Sequence, residues 1–223
     1  MAPFGTLYTY FPNPRIWKIQ AAGKLNGLEV TVAPDFTMGK TNREPEFLAK
    51  FPLGKVPAFE GADGTKLFES DAIAQYVAES GPAAGQLLGT TPTQRATIRQ
   101  WISFGAGEVL DNVTRLILWR FGIAPYDEKT ETTALERLQR AVAALETHLS
   151  SGRTWVATDD KLSLADLSLA SALVWGFAHV LDDDLRKNYP KTVEWYKRVL
   201  AEEGVKEVFG EPNFIAKRRT FEG

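Results

Sequence analysis

The stretch from Gly54 to Asp71 constrains the fold most, because a proline-led strand, a hairpin and a helix start follow one another within it. Gly54-Lys55-Val56-Pro57-Ala58-Phe59 leads into a strand over 56–60, and Gly61-Ala62-Asp63-Gly64 turns the chain back into a second strand over 66–69. Pro57 has no N–H to give to a ladder, so it belongs at the start of a strand. Phe68-Glu69-Ser70-Asp71 then opens a helix predicted over 70–79. There Ser70 suits the helix start, and the Asp71 carboxylate suits the positive end of the helix dipole.

Upstream, Thr6-Leu7-Tyr8-Thr9-Tyr10 alternates as a strand does, and Pro14 fits the first turn of a helix. Apolar Ile16, Ile19 and Ala22 carry that helix to Asn26-Gly27, and a second strand covers 29–33. Two strands joined this way form a βαβ unit, with parallel strands and a right-handed crossover. With a short helix over 45–50, residues 1–80 take the order β-α-β-α-β-β-α, a thioredoxin-like domain. Residues 81–91 begin with Gly81-Pro82-Ala83-Ala84-Gly85 and read as a linker. Residues 92–223 read as an all-helical domain, with helices over 93–121, 131–149, 164–180 and 190–203. Gly105 and Gly107 interrupt the first of these, where a bend or a thinned packing face is expected. Ser163-Leu164-Ala165-Asp166 has the spacing of a capping box, flanked by Leu162 and Leu167 as a staple, so Asp166 is read as structural rather than catalytic.

The chain has no cysteine, which removes disulfides, Fe–S ligation, a thiol nucleophile and a redox Cys-x-x-Cys motif together. Any sulfur chemistry here uses a sulfur carried by a ligand. His148 and His179 sit on separate predicted helices without a further ligand at metal spacing, so no metal site is expected. The net charge is −2 and the basic residues are scattered apart from Lys217-Arg218-Arg219, which gives no footprint for nucleic acid. No apolar run reaches the roughly 20 residues of a membrane span and no signal pattern opens the chain, so a cytoplasmic protein away from membranes is expected.

These motifs resemble those of the cytosolic glutathione transferases. Within that family the chain is most similar to the glutathione-transferase-like domain of the gamma subunit of translation elongation factor 1. The resemblance is carried by Gly5-Thr6-Leu7-Tyr8-Thr9-Tyr10, Thr41-Asn42-Arg43 with Pro45-Glu46-Phe47-Leu48, and Phe51-Pro52-Leu53-Gly54-Lys55-Val56-Pro57-Ala58-Phe59-Glu60-Gly61. Phe68-Glu69-Ser70-Asp71-Ala72-Ile73-Ala74 and Ser163-Leu164-Ala165-Asp166 complete it, in an order that spans nearly the whole chain. It implies glutathione as co-substrate, with a cis Val56-Pro57 step as backbone clamp on the ligand's cysteinyl unit. Ser70 and Glu69 would hold the γ-glutamyl end, with Asp71 either aiding the ammonium contact or simply favouring the helix start. Lys55 and Asn42, both expected to be partly exposed, match positions that reach the glycine carboxylate, and Arg15 would add positive potential near the thiolate. The catalytic position falls to Asn13, whose amide would donate to sulfur, or to Tyr10 at the end of the first strand. The electrophile site would use Trp101, Phe104 and Glu108, with Asp111, Trp119 and Phe121 also available.

Two functions follow from the resemblance. One is a transferase joining the glutathione thiolate to a hydrophobic electrophile, as a homodimer. The other is a weakly catalytic or non-catalytic scaffold module that binds elongation-factor subunits. A full gamma subunit continues into a further domain, so this chain is either an excised domain or, as the end at Gly223 favours, a free-standing relative.

Overall fold

The computed structural model describes residues 3–221. Its first half is a four-stranded sheet in the order β2-β1-β3-β4, with β1 Gly5–Tyr8, β2 Val30–Val32, β3 Ala58–Gly61 and β4 Lys66–Phe68. β1 runs parallel to β2, pairing Thr6 with Thr31, and antiparallel to β3, pairing Leu7 with Phe59. The expected strand to Tyr10 therefore stops at Tyr8, where β3 runs out of partners at Ala58. A 3-10 turn, Pro14–Ile16, leads into α1 Trp17–Leu25; α2 is Pro45–Lys50 and α3 is Ser70–Glu79. The apolar faces of α1 and α3 cover the sheet, and Leu7, Ile16, Ile19, Phe59, Ile73 and Val77 are completely buried between them. A smaller cluster of Phe47, Phe51 and Ala58 packs with Tyr8, Phe36 and Val56 beneath the β3 entry.

The stretch 81–91, expected as a linker, holds a short helix, α4 Ala84–Leu88, with Leu87 fully buried. Asn26 braces this junction: its Nδ2 donates to the carbonyls of Val77 and Ala78 at 2.9 and 3.1 Å, and its Oδ1 accepts from Ala83 N at 2.7 Å. Orphan carbonyls at the end of α3 are thereby satisfied.

The second half is helical: α5 Pro92–Phe104, a π-helical segment Gly105–Leu110, α6 Asp111–Leu118, α7 Glu128–Ser150, α8 Leu164–His179, α9 Asp183–Arg186, α10 Pro190–Ala201 and α11 Lys206–Phe209. The interruption expected at Gly105 takes the form of a π-helical change of hydrogen-bond pattern, and Gly105 lies against α8. A Cβ there would meet Leu169 Cδ1 at 3.3 Å, so the glycine allows close helix approach. α8 is buried almost all round and forms the axis of the molecule. It meets the first half directly, because the Ser171 hydroxyl donates to Pro14 O.

The start of α8 is fixed by the reciprocal capping box of Ser163 and Asp166. Asp166 is completely buried and also accepts from Val156 N and Trp195 Nε1, both at 2.9 Å, so one carboxylate ties together the loop before α8, its first turn and α10. Burial pushes this carboxyl up from the ordinary aspartate value, while the donors around it pull the other way.

α6 and α7 are joined by a second buried charge. Arg120 donates to both oxygens of Glu131 at 2.9 and 2.6 Å, and Trp119 Nε1 donates to Glu131 Oε2 at 2.8 Å. Burial works against the charge on Glu131, but these donors hold its carboxyl below the ordinary value of 4.5. Since the folded form titrates below the unfolded one, its stabilisation is present above 4.5 and is lost as pH falls through the folded value. Thermal melts from neutral pH to below 4.5 should therefore show a smaller loss of Tm in Glu131→Gln than in wild type. Parallel losses in the two proteins would show that other carboxylates carry the acid sensitivity.

His148 Nε2 pairs with Val156 O at 2.8 Å and His179 lies edge-on to Phe121, so both histidines are occupied in the helical half. Among the described residues, no group of three or more His, Cys, Asp or Glu side chains could hold a metal, and no helix is long and apolar enough to cross a membrane.

Candidate functional site

A cavity of about 360 Å³ opens where the β3 entry, the β4–α3 corner and the end of β1 converge. Its size is that of a small-molecule site. Lys55, Val56 and Pro57 form one wall, Glu69 and Ser70 another, and Tyr10 and Arg15 a third. Phe51 forms part of the floor, and Met38, Leu53 and Phe68 form an apolar rim. The Val56-Pro57 peptide is cis, as the resemblance implied.

Local chemistry explains how these groups are held. Gly54 has φ +58°, and a Cβ there would stand 2.7 Å from Asn42 O, so the corner before Lys55 requires glycine. Asn42, expected to be partly exposed, is completely buried instead. Its Nδ2 donates to Gly54 O at 2.7 Å and its Oδ1 accepts from Gly39 N at 2.6 Å, so it ties the loop behind the cavity wall and does not line the cavity.

Glu69 has φ +69° and ψ 114°, and among the described residues it is the one non-glycine with positive φ. Such a conformation is strained for a residue with a Cβ and persists only where the surroundings enforce it. Here it turns the chain from β4 into α3, leaving Glu69 and Ser70 on the same cavity wall.

Asn13 is the clearest departure from expectation. It is completely buried, its Oδ1 accepts from Arg15 N at 3.2 Å, and its Nδ2 donates to Thr9 Oγ1 at 3.1 Å. The side chain caps the 3-10 turn and does not line the cavity, so its amide is not presented to a sulfur there. Tyr10 does line it. Asp71 also lies off the cavity, paired with the ammonium of Lys18 on α1.

Of the residues expected at an electrophile site, Trp101, Phe104, Glu108, Asp111 and Trp119 are engaged elsewhere. Trp101 packs edge-on to Phe104 at 5.1 Å and against His148 on α7 at 4.5 Å, within the helical core. Glu108 is exposed and faces Arg140 at 3.6 Å. Asp111 faces Arg115 one turn along α6, and Trp119 is committed to Glu131. Of the helical residues that meet Arg15 or stand behind it, the sequence pointed to Phe121 but not to Thr114 or Trp175. Thr114 accepts from Arg15 Nη2 at 3.3 Å, and Trp175 lies under the Arg15 guanidinium at 5.9 Å, with Phe121 edge-on behind it. Lys18 was also missed, although Arg15 and Lys18 stand one helical turn apart with an acidic partner at the start of α3.

The comparisons agree with this architecture. The glutathione S-transferase N-terminal domain model matches residues 3–79, and the glutathione S-transferase C-terminal domain model matches residues 109–203. The chain belongs to the glutathione S-transferase family. It is 55% identical to the glutathione S-transferase-like protein LUC7 of Fusarium sp over 100% of both chains. It is also 37% identical to elongation factor 1-gamma of Danio rerio, matching over 98% of its own length but only 48% of that protein. Among solved structures, the GST-like domain of elongation factor 1-gamma from Saccharomyces cerevisiae superimposes with a TM-score of 0.83 at 30% identity, covering 100% of each chain.

Proposed function

We propose that this protein binds glutathione in the cavity between Val56-Pro57 and Glu69-Ser70 and conjugates its thiolate to a hydrophobic electrophile. The observation that carries the reading is the convergence of an extended backbone edge, a helix start and two cations on one cavity of ligand size. The backbone of Val56 pairs with the cysteinyl unit as a neighbouring strand would. Ser70 and the free N–H groups at the start of α3 take the γ-glutamyl carboxylate, and Glu69 accepts from the ligand's ammonium. Lys55 faces the glycine carboxylate. Asn42 acts on that contact only through the loop it braces, and Asn13 acts only through the turn it caps.

The thiolate is the nucleophile, so the site must favour the anion over the thiol. Arg15 supplies positive potential at the cavity and Tyr10 supplies a hydroxyl donor. These groups assist electrostatically rather than as a base. The acceptor lies between Tyr10 and the helical side at Thr114 and Trp175. In a homodimer, the second copy covers the exposed apolar rim formed by Met38, Leu53 and Phe68.

Calorimetric titration with glutathione tests the site. Ser70→Ala should weaken binding by about 1–3 kcal/mol, the range for losing a hydrogen bond to a charged group. No heat with wild type at millimolar glutathione would sink the assignment.

A second reading is favoured by the likeness to elongation factor 1-gamma across the whole of this chain. In it the protein binds glutathione but acts chiefly as a scaffold for elongation-factor subunits in the cytoplasm. Conjugation of an aryl halide no faster than buffer, together with intact glutathione binding, would select that reading.

A further inference from the structure

Lys18 is 3% exposed at its side chain and lies in α1 between Trp17 and Ile19, an expensive place for an ammonium group. Among the described residues its one hydrogen-bonding partner is Asp71, in the first turn of α3. Burial pushes the Lys18 ammonium down from the ordinary lysine value, while Asp71 and Glu69 pull it up and Arg15 pushes it further down.

The arrangement poses an electrostatic problem at Ser70. Two carboxylates, Glu69 and Asp71, flank the residue that lines the cavity at the helix start. An incoming carboxylate at that point would be repelled by both. Glu69 has a use there if the ligand also carries an ammonium group. Asp71 has none, since it lies off the cavity, and its charge must be cancelled from behind. Arg15 is engaged across the seam with Thr114 and Trp175, which leaves Lys18 as the cation in contact with Asp71.

We propose that Lys18 is a charge-compensating positioning residue: by neutralising Asp71 it keeps the start of α3 receptive to the α-carboxylate of a γ-glutamyl ligand. The inference rests on the glutathione reading above and adds to it a residue that does not touch the ligand.

The test compares glutathione with its analogue whose γ-glutamyl α-carboxylate is converted to the amide, by titration calorimetry on wild type, Lys18→Met and Lys18→Met/Asp71→Asn. Wild type should prefer the carboxylate. Lys18→Met should lose about tenfold in affinity for glutathione, the scale of one charge-assisted contact, and little for the amide, so the preference collapses. Removing the uncompensated charge in the double variant should restore most of it. A purely structural Lys18 would weaken both ligands equally, and an unchanged preference in Lys18→Met overturns the proposal. Should Lys18→Met fail to fold by circular dichroism, Lys18→Gln, which keeps a donor to Asp71 without the charge, takes its place: a collapsed carboxylate preference supports compensation, and an unchanged one refutes it. Failure of wild type to bind either ligand would instead defeat the glutathione site itself, and the proposal with it.

Discussion

Asp166→Ala is expected to lose about 3–5 kcal/mol of stability, a large part of the roughly 5–15 kcal/mol that holds a domain folded. The carboxylate accepts from Val156 N, Ser163 N, the Ser163 hydroxyl and Trp195 Nε1, all in a region without access to water. Alanine leaves those donors unsatisfied at once and removes the cap of α8, on which the helical half is assembled. Asp166→Asn should fall between wild type and alanine. Its carbonyl can serve Val156 and Trp195, but its amide would face the Ser163 N–H. Urea unfolding midpoints should rank wild type above Asn above Ala. Equal midpoints for Asn and wild type would mean that the charge is irrelevant and only the shape of the hub counts.

The second large effect concerns reactivity. Arg15→Ala is expected to lower kcat/KM for conjugation of an aryl halide by about a hundredfold, near 2.7 kcal/mol of transition-state stabilisation. Part of that loss should appear as a change in thiol acidity. Each unit by which the bound thiol's pKa rises costs about 1.4 kcal/mol of thiolate stabilisation, so the ascending, acid-side limb of the kcat/KM profile should move to higher pH. Tyr10→Phe removes one neutral donor and should cost about tenfold, without cutting the tie from Arg15 to Thr114. A profile unmoved in Arg15→Ala, with only KM raised, would make Arg15 a binding group with no part in ionising the thiol. Because Arg15 also spans to Trp175, melting curves on the variant should accompany the rates.

Elements set by local chemistry were legible in the sequence. α2 and α3 occupy 45–50 and 70–79 as expected, because Pro45 and Ser70 mark their starts directly. The Ser163 box was visible for the same reason. What escaped depends on distant partners. β1 ends at Tyr8 because β3 stops beside it, a fact of register. α7 begins at Glu128 rather than 131 because Asp127 accepts from Thr130 N at 2.7 Å, a cap whose Asp-x-x-Thr spacing was readable but passed over. Gly105 marked the right place, but only the backbone reveals a π segment.

The site divides the same way. Lys55, Val56, Pro57, Glu69 and Ser70 come together on the cavity because each sits at a corner that its own neighbours define. Asn13, Asn42 and Asp71 have matching spacing too, yet each is taken up by a side chain or carbonyl remote in sequence or folded back on it. Thr9, Gly54 and Lys18 are those partners. A one-dimensional pattern records that a polar group is present. It does not record which neighbour has already taken its hydrogen bonds.

Every residue lining the cavity lies at or before Ser70, while Thr114 and Trp175, the acceptor side of the proposed reaction, belong to helices that meet the cavity's Arg15. On the proposed reading, the thiol donor's berth and the acceptor's wall are therefore written in separate stretches of the gene, with the Arg15 guanidinium in contact with both. Under that reading, changes in the helices can re-tailor which electrophile is accepted, or abolish acceptance altogether, while the donor's berth is passed on unaltered. Catalyst and scaffold can then diverge from one ancestor by redrafting only the second stretch.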